Sequence, residues 1–218
     1  MNIGVLGGTG KEGSGLAYRW ALAGHEVVIG SRDAGKASAG AAELNQLLGG
    51  KAVVRGASNL EAARAAVVVL TVPYAAQLAT ADSVADQLVG KILIDVTVPL
   101  TPPKVDRVQL PGGESAVVAL QRRLGTQVKV VSAFQNVSAT HLKDAAHAVD
   151  CDVLVCGDDA DAREVVIGLA RDVGLRAWHA GVLANSVASE ALTSVLIAIN
   201  KRYKVAGSGI RITGLPVK

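Results

Sequence analysis

A strand, a glycine turn and a helix within the first 24 residues constrain this chain more than any other feature. Ile3, Val5 and Leu6 form a short apolar run, and Gly8-Thr9-Gly10-Lys11-Glu12-Gly13 follows at once. Leu16, Ala17, Trp20 and Ala21 then recur at helical spacing up to Gly24. Each glycine has a physical task. Gly8 permits the tight turn out of the strand, Gly10 lets the backbone approach a pyrophosphate, and Gly13 lets the helix pack close to the sheet. The free N–H groups at the helix start face the pyrophosphate. This order predicts a dinucleotide site from Gly8 to Gly13, with Lys11 and Glu12 inside it.

The next strand decides which dinucleotide. An NAD site carries an acid near the tip of this strand, accepting from the ribose 2′-hydroxyl. Here Glu26-Val27-Val28-Ile29 runs into Gly30-Ser31-Arg32, with no acid at the tip. Ser31 and Arg32 are donors for a 2′-phosphate, Lys36 lies one helical turn on, and Thr9 sits in the glycine turn. Asp33 reads as the N-cap of a helix from Ala34 to Leu48. The expectation is NADP(H) rather than NAD(H).

Composition narrows the remaining classes. With 218 residues, half of them apolar, the chain supports one large domain and a small appendage. A net charge of +3, spread without interleaved aromatics, gives no nucleic-acid footprint. Cys151 and Cys156 match no zinc or redox spacing and read as buried, reduced thiols. The chain opens directly on its first strand, which predicts no signal peptide, and no apolar run reads as a membrane span. The expectation is a cytoplasmic protein acting on small molecules.

Strand-like and helix-like segments alternate throughout. Strands are expected at 52–54, 66–70, 91–96 and 127–133, and helices at 59–65, 75–88 and 115–124, with a loop over 101–114. The pattern predicts an α/β fold with a Rossmann-type doubly wound parallel sheet over residues 1–148. Residues 149–218 read as a small C-terminal α/β domain: a strand at 151–156, a helix at 160–173 capped by Gly157-Asp158-Asp159, a strand at 175–179 and a long helix at 182–203. Leu183, Val187, Ala191, Val195 and Ile199 repeat along that helix beside Ala188, Leu192 and Leu196. So wide an apolar face predicts packing across the main domain or a homodimer interface.

Ligands in such sheets bind beyond the carboxyl ends of the strands. Those ends supply Thr71-Val72-Pro73, Val98-Pro99, and Ala133 with Gln135-Asn136-Val137. Pro73 and Pro99 hold their preceding residues extended, shaping ledges for a ring and ribose. No Lys, Tyr or His stands in a proton-donor pattern, and His25, His141, His147 and His179 are isolated. Asp95 reads as satisfying a local hydrogen bond and Glu190 as a rim residue. No metal cluster is apparent. A nicotinamide site without a dedicated acid or base fits transfer of a hydride alone, driven by positioning and backbone dipoles.

Val5-Leu6-Gly7-Gly8-Thr9-Gly10, Gly24-His25-Glu26-Val27-Val28-Ile29-Gly30-Ser31-Arg32, Val155-Cys156-Gly157-Asp158-Asp159 and Ala180-Gly181-Val182-Leu183-Ala184-Asn185-Ser186 together resemble the NADPH-dependent coenzyme F-420 reductases. The resemblance implies reversible hydride transfer between NADP(H) and an 8-hydroxy-5-deazaflavin, coenzyme F-420, with stacked rings in a cleft between the two domains. It implies that Thr9, Ser31, Arg32 and Lys36 hold the 2′-phosphate and that Val72-Pro73 and Val98-Pro99 flank the rings. The Gln135-Asn136-Val137 loop then offers backbone N–H groups to the deazaflavin. Lys143, Lys201, Arg202 and Lys204 are candidates for an anionic tail. Two other readings stay open: an NADPH-dependent reductase of a flavin, ferric chelate or small imine, and an NADPH-sensing binding module.

Overall fold

The computed structural model describes residues 1–215; residues 216–218 of the C-terminal unit lie outside them. Eight strands form one sheet: β1 (Asn2–Leu6), β2 (Glu26–Ser31), β3 (Val54–Ser58), β4 (Val67–Leu70), β5 (Ile92–Asp95), β6 (Lys129–Ser132), β7 (Asp152–Gly157) and β8 (Arg176–His179). Their order is β3-β2-β1-β4-β5-β6-β7-β8. The helices are α1 (Lys11–Leu22), α2 (Ala34–Leu48), α3 (Asn59–Ala62), α4 (Gln77–Asp82), α5 (Ala85–Leu88), α6 (Ala116–Leu124), α7 (Ala160–Asp172) and α8 (Ser186–Tyr203).

The sheet is doubly wound because its central strands are apolar on both faces. All four residues of β4 are buried, and alternate residues belong to opposite cores. Ile3, Val5 and Val69 pack with Leu16 and Trp20 of α1, Leu44 of α2 and Val166 of α7. Leu6, Val68 and Leu70 pack with Ala62 of α3, Ala81 of α4, Leu88 of α5 and Leu120 of α6. The strand order reverses between β1 and β4, which opens the cleft at their carboxyl ends.

The C-terminal strands extend this same sheet. β7 pairs antiparallel with β6 (Ser132 opposite Cys156), and β8 follows parallel to β7. The antiparallel step puts the start of β7 at the cleft end of the sheet and its finish at the base. Both cysteines are free and buried.

Local chemistry sets most helix starts. Asp33 accepts from Lys36 N, Ser115 from Val118 N and Asp159 from Ala162 N. Three segments differ from expectation. β3 begins at Val54, held by paired bonds to Asn45 Nδ2 and Oδ1, and runs on through Arg55 to Ser58 as an edge strand without an apolar signature. The expected helix at 75–88 is a 3-10 turn followed by α4 and α5, since Ser83 Oγ bonds back to Thr80 O where they part. The last helix starts at Ser186, after a 3-10 turn at Leu183–Asn185.

Helix α8 buries a mixed face. Ser186, Ser189, Glu190, Ser194 and Leu196 are buried, whereas Val195 and Ile199, expected on the same apolar face, are 45% and 37% exposed. Residues Leu183–Tyr203 are long and apolar enough to cross a membrane, at mean hydropathy 1.2, contrary to the expectation that no segment qualifies. The buried serines and Glu190 show that one side of this helix meets polar groups of the protein itself.

Arg19 and Trp20 of α1 tie the two halves of the chain together. Arg19 donates to the carbonyls of Leu142, His141, Asp144, His147 and Val173. Trp20 Nε1 donates to Leu169 O at 3.0 Å, and its ring meets Phe134 edge-on at 5.9 Å.

Helix-to-sheet contact leaves no space at Gly4, where an added Cβ lies 1.9 Å from Ala62 O. Gly4→Ala is therefore expected to lower stability by about 1–3 kcal/mol or more through overpacking. Gly168, within α7, has no heavy atom within 4 Å of an added Cβ. Gly168→Ala is expected to raise stability by about 0.5–1 kcal/mol. Thermal melts of the two variants check the contrast, and melting temperatures moving in the same direction would contradict it.

Candidate active site

The glycine turn is built from three different constraints. Gly7, not Gly8, takes the left-handed conformation, at φ +73°, and makes the turn out of β1. Gly8 is confined by packing: an added Cβ would lie 2.7 Å from Ile29 Cβ. At Gly13 an added Cβ would lie 2.3 Å from Thr71 Oγ1, so α1 sits hard against the end of β4. Gly10 is open, with Gly7 O, at 3.5 Å, the only atom near an added Cβ. An unobstructed Gly10 before the free N–H groups of α1 fits a pyrophosphate.

A cleft of about 220 Å³ lies beside this turn, lined by Thr9, Gly10, Ser31, Arg32, Thr71, Val72 and Pro73 together with Asn59, Ala76 and Thr80. Asn59 Oδ1 accepts from Gly7 N at 3.4 Å. Asn59 and Thr80 escape sequence reasoning because they follow a weak edge strand and lie inside a broken helix. Arg32 and Lys36 are exposed and form no ion pair among the described residues. Asp33 Oδ1 is engaged by Lys36 N at 3.2 Å, which leaves the cations of Arg32 and Lys36 to meet an anion. Lys36 lies outside the cleft lining, on the next turn of α2. A larger cavity of about 580 Å³ runs along edge strand β8, lined by Arg171, Trp178 and Arg211 among others. It borders none of the glycine-turn residues.

Beyond the carboxyl ends of β5 and β6, and outside the lining of the glycine-turn cleft, Pro99, Ala133, Gln135, Asn136 and Val137 are buried and Val98 is half-buried. Phe134 holds φ +73°, a left-handed conformation that costs a bulky residue about 1–3 kcal/mol. Its packing on Trp20 fixes the backbone that follows. Val137 N already donates to Phe134 O at 2.9 Å. The N–H groups of Gln135 and Asn136 have no partner among the described residues. Their side-chain nitrogens are engaged, Gln135 Nε2 to Asp95 O at 2.7 Å and Asn136 Nδ2 to Asp152 O at 2.7 Å, while Gln135 Oε1 and Asn136 Oδ1 are buried without a partner.

Three carboxyl groups sit behind these elements. Asp95, at the end of β5, accepts from Thr97 N at 2.8 Å and from Gln77 Nε2, the local satisfaction expected of it. Burial nonetheless pushes its carboxyl above the usual range. Glu190 is no rim residue: it is 1% exposed and accepts from Ala116 N at 2.8 Å and Val117 N at 3.1 Å. The first turn of α6 needs acceptors, and Glu190 supplies them. Burial, with the Asp95 charge adding to it, pushes Glu190 up to about 7. Glu12 turns inward from the glycine turn. Its Oε1 is buried without a hydrogen-bond partner, and burial and then Asp95 push its pKa up to about 8.

The histidines are engaged elsewhere. His25 Nε2 bonds Asp172 and His179 Nε2 bonds Glu164, while His141 stacks on His147 at 4.0 Å. Lys201 pairs with Asp106 at 2.8 Å, and Lys143, Arg202 and Lys204 are exposed. The described residues hold no group of metal ligands.

The family model for coenzyme F420-dependent NADP oxidoreductases matches residues 2–99. The F420-dependent NADP reductase of Methanothermobacter thermautotrophicus is 46% identical over 99% of this chain and 96% of its own length. The chain belongs to the F420-dependent NADP reductase family. The same-named protein of Methanocaldococcus jannaschii is 42% identical over the full length of both chains. A proposed F420-dependent NADP reductase from Arthrobacter sp. FB24 superposes with a TM-score of 0.83 at 30% identity, covering 98% of this chain and 99% of the other.

Two segments that carry the family resemblance lie at the base of the sheet, away from the cleft. Gly157 N donates to Gly181 O at 3.1 Å, and Asp158 Oδ1 accepts from Leu183 N at 2.9 Å. Asp159 pairs with Lys129, at the start of β6, at 2.8 Å. These segments anchor the start of α8, which then rises to place Glu190 on α6 and Thr193 Oγ1 on Gln135 O at 2.7 Å.

Glu190 generates a pH prediction. Its folded pKa, about 7, lies above the ordinary 4.5 of a glutamate side chain. Between those values the folded state holds a proton that the unfolded state has released, so stability falls as pH rises through that window. The melting temperature of Glu190→Gln is expected to decline less steeply there than that of wild type. Parallel curves would contradict the assignment.

Proposed function

We propose that this protein transfers a hydride reversibly between NADP(H) and the deazaflavin coenzyme F-420. The observation that carries the reading is the 46% identity to an F420-dependent NADP reductase over 99% of this chain. The cleft supports it with Arg32 in its lining and with Asp33 Oδ1 drawn onto Lys36 N.

In this reading Gly10 and the first N–H groups of α1, with Gly8, Lys11, Glu12 and Gly13 completing the turn, hold the pyrophosphate. Thr9, Ser31, Arg32 and Lys36 hold the 2′-phosphate, which a carboxylate at the tip of β2 would repel. Thr71-Val72-Pro73 and Val98-Pro99 flank the stacked rings. The unengaged N–H groups of Gln135 and Asn136, beside Ala133 and Val137, donate to the pyrimidine end of the deazaflavin, where incoming hydride leaves negative charge. NADPH supplies the hydride when bound; the chain contributes position and fixed dipoles rather than a dedicated acid or base.

The C-terminal unit from residue 149 covers the cleft and contributes to a homodimer interface. The exposed stripe of Val195, Ile199 and Tyr203 on α8 supports the dimer. The buried, unbridged cysteines suit a reducing cytoplasmic compartment.

An assay with NADPH and F-420, run beside NADH and FMN, tests the reading: the oxidised deazaflavin band is expected to bleach with NADPH and not with NADH. Flavin reduction without deazaflavin reduction would move the assignment to another acceptor. Arg32→Ala is expected to cut the preference for NADPH over NADH by about tenfold to a hundredfold, the loss of one charged hydrogen bond. Retention of full preference would remove Arg32 from the site. Light scattering that finds a monomer at micromolar concentration would overturn the dimer.

A further inference from the structure

Asn59 is the one amide side chain in the lining of the cleft beside the glycine turn. It opens α3, where Ser58 Oγ accepts from Glu61 N at 3.2 Å and Glu61 Oε2 accepts from Ser58 N at 3.1 Å. This capping box fixes its backbone. Its side chain lies over the end of β2: a Cβ added to Gly30 would stand 2.8 Å from Asn59 Oδ1 and 3.1 Å from its Cα. Oδ1 also accepts from Gly7 N at 3.4 Å. An N–H calls for an oxygen, so this bond decides which way round the amide sits and turns Nδ2 away from Gly7. Nδ2, a donor only, has no partner among the described residues, and it is not one of the polar atoms sealed from solvent. Asn59 is only 7% exposed, and the space it borders is the cleft. Its amide nitrogen is therefore a donor held in place by two strand ends and left open at the cleft wall.

Its position indicates what it donates to. Gly7 leads out of β1, Gly30 precedes Ser31 at the tip of β2, and the two strands are neighbours with Leu6 opposite Gly30. In folds of this order the pyrophosphate lies at the glycine turn and the adenosine ribose between that turn and the tip of the second strand. An NAD site holds the ribose hydroxyls with an acid at that tip. Here Ser31 and Arg32 stand in the lining, and the nearest acid, Asp33, is drawn onto Lys36 N. A ribose that carries a 2′-phosphate still has a 3′-hydroxyl, whose oxygen needs a partner once the cleft wall displaces its water. A carboxylate there would repel the phosphate. A neutral amide donates to the oxygen without doing so, and leaves the hydroxyl proton free to point at the phosphate.

We propose that Asn59 is a specificity-determining residue that holds the adenosine ribose of NADP(H), its Nδ2 donating to the 3′-hydroxyl oxygen. The inference rests on the dinucleotide half of the function proposed above and is independent of the hydride acceptor. One planar amide then serves two partners: Oδ1 fixes the start of the glycine turn through Gly7 N, and Nδ2 reads the sugar beside the 2′-phosphate. The neutrality of the side chain matters as much as its donor. An aspartate at this position would keep an oxygen for Gly7 N but set an anion where the donor stood. It would accept from ribose hydroxyls as the acid of an NAD site does, and repel a 2′-phosphate. Ser31 and Arg32 attract the phosphate, and Asn59 supports the same choice by holding the ribose without a charge.

Calorimetric titration of wild-type protein with 2′,5′-ADP and with its 3′-deoxy analogue tests the contact from the ligand side. Loss of the 3′-oxygen is expected to weaken binding about threefold to tenfold, the effect of one neutral hydrogen bond. Asn59→Ala is expected to bind the two compounds equally, which closes the cycle on this pair of groups. Asn59→Asp tests the charge. Titrated with NADPH and NADH at about pH 8, where an aspartate is ionised, it is expected to raise Kd(NADPH)/Kd(NADH) by about tenfold or more. A merely structural role survives in Asn59→Asp, which keeps an oxygen for Gly7 N, and would leave that ratio at its wild-type value whatever the melting temperature did. Wild-type affinity indifferent to the 3′-oxygen, a loss that persists undiminished in folded Asn59→Ala, or an unchanged ratio in folded Asn59→Asp overturns the proposal while the dinucleotide reading stands. Should both variants fail to fold, the two ligands on wild type decide. Failure of wild type to bind either 2′,5′-ADP or NADPH overturns both.

Discussion

Helix α1 satisfies two sets of neighbours at once, and the rest of the molecule is arranged around that demand. Its first turn leaves backbone N–H groups open at Gly10. Its last turn carries Arg19 and Trp20 into the C-terminal half, bonding six carbonyls of the loop after β6 and of the segment Leu169 to Val173. A helix fixed at both ends cannot slide. The contact of Gly13 with Thr71 and Gly8 sets its height above the sheet, and a side chain there would lift both ends together. The glycine turn is therefore held by packing about 15 Å further along the same helix.

Buried polarity, rather than apolar area, orients α8. The surface it covers contains the first N–H groups of α6 and the carbonyl of Gln135, which need partners once water is excluded. Glu190 and Thr193 provide them, and Ser186 adds a bond to Ser115. Val195 and Ile199 face outward in consequence. Hydrophobic periodicity finds the two faces of a helix but not the direction in which each looks, because that depends on what the neighbouring element leaves unsatisfied.

What sequence reveals here divides along the same line. Strands β1, β4 and β5 are legible because apolar runs of four or five residues require burial on both sides. The caps Asp33, Ser115 and Asp159 are legible because their chemistry is complete within four residues. The cluster at Ser31 and Arg32 is legible because one strand and one turn deliver it to the cleft. β3 is not, since an edge strand with Arg55 and Gly56 has no apolar signature. The turn residue Gly7 is missed beside Gly8 because spacing alone does not separate a positive φ from a tight contact. Glu12, Asp95 and Glu190 come from a glycine turn, a strand end and the last helix, and their mutual influence exists only after the sheet is assembled. The one hint is an acid inside the glycine turn.

The location of Asp158 and Gly181 gives α8 a mechanical character. The helix is pinned at its foot by bonds from β7 and by the turn at Leu183–Asn185, and its 18 residues make an arm of about 27 Å. Thr193, whose bond to Gln135 O measures 2.7 Å, stands seven residues above the foot, about 10 Å along the axis, so a tilt of about 5° at the foot moves it by roughly 0.9 Å, enough to strain that bond. A substitution at Asp158 therefore reaches Gln135 as an angle, not as a contact. The segments at residues 157–159 and 180–186 act as a fulcrum for contacts made towards the other end of the sheet.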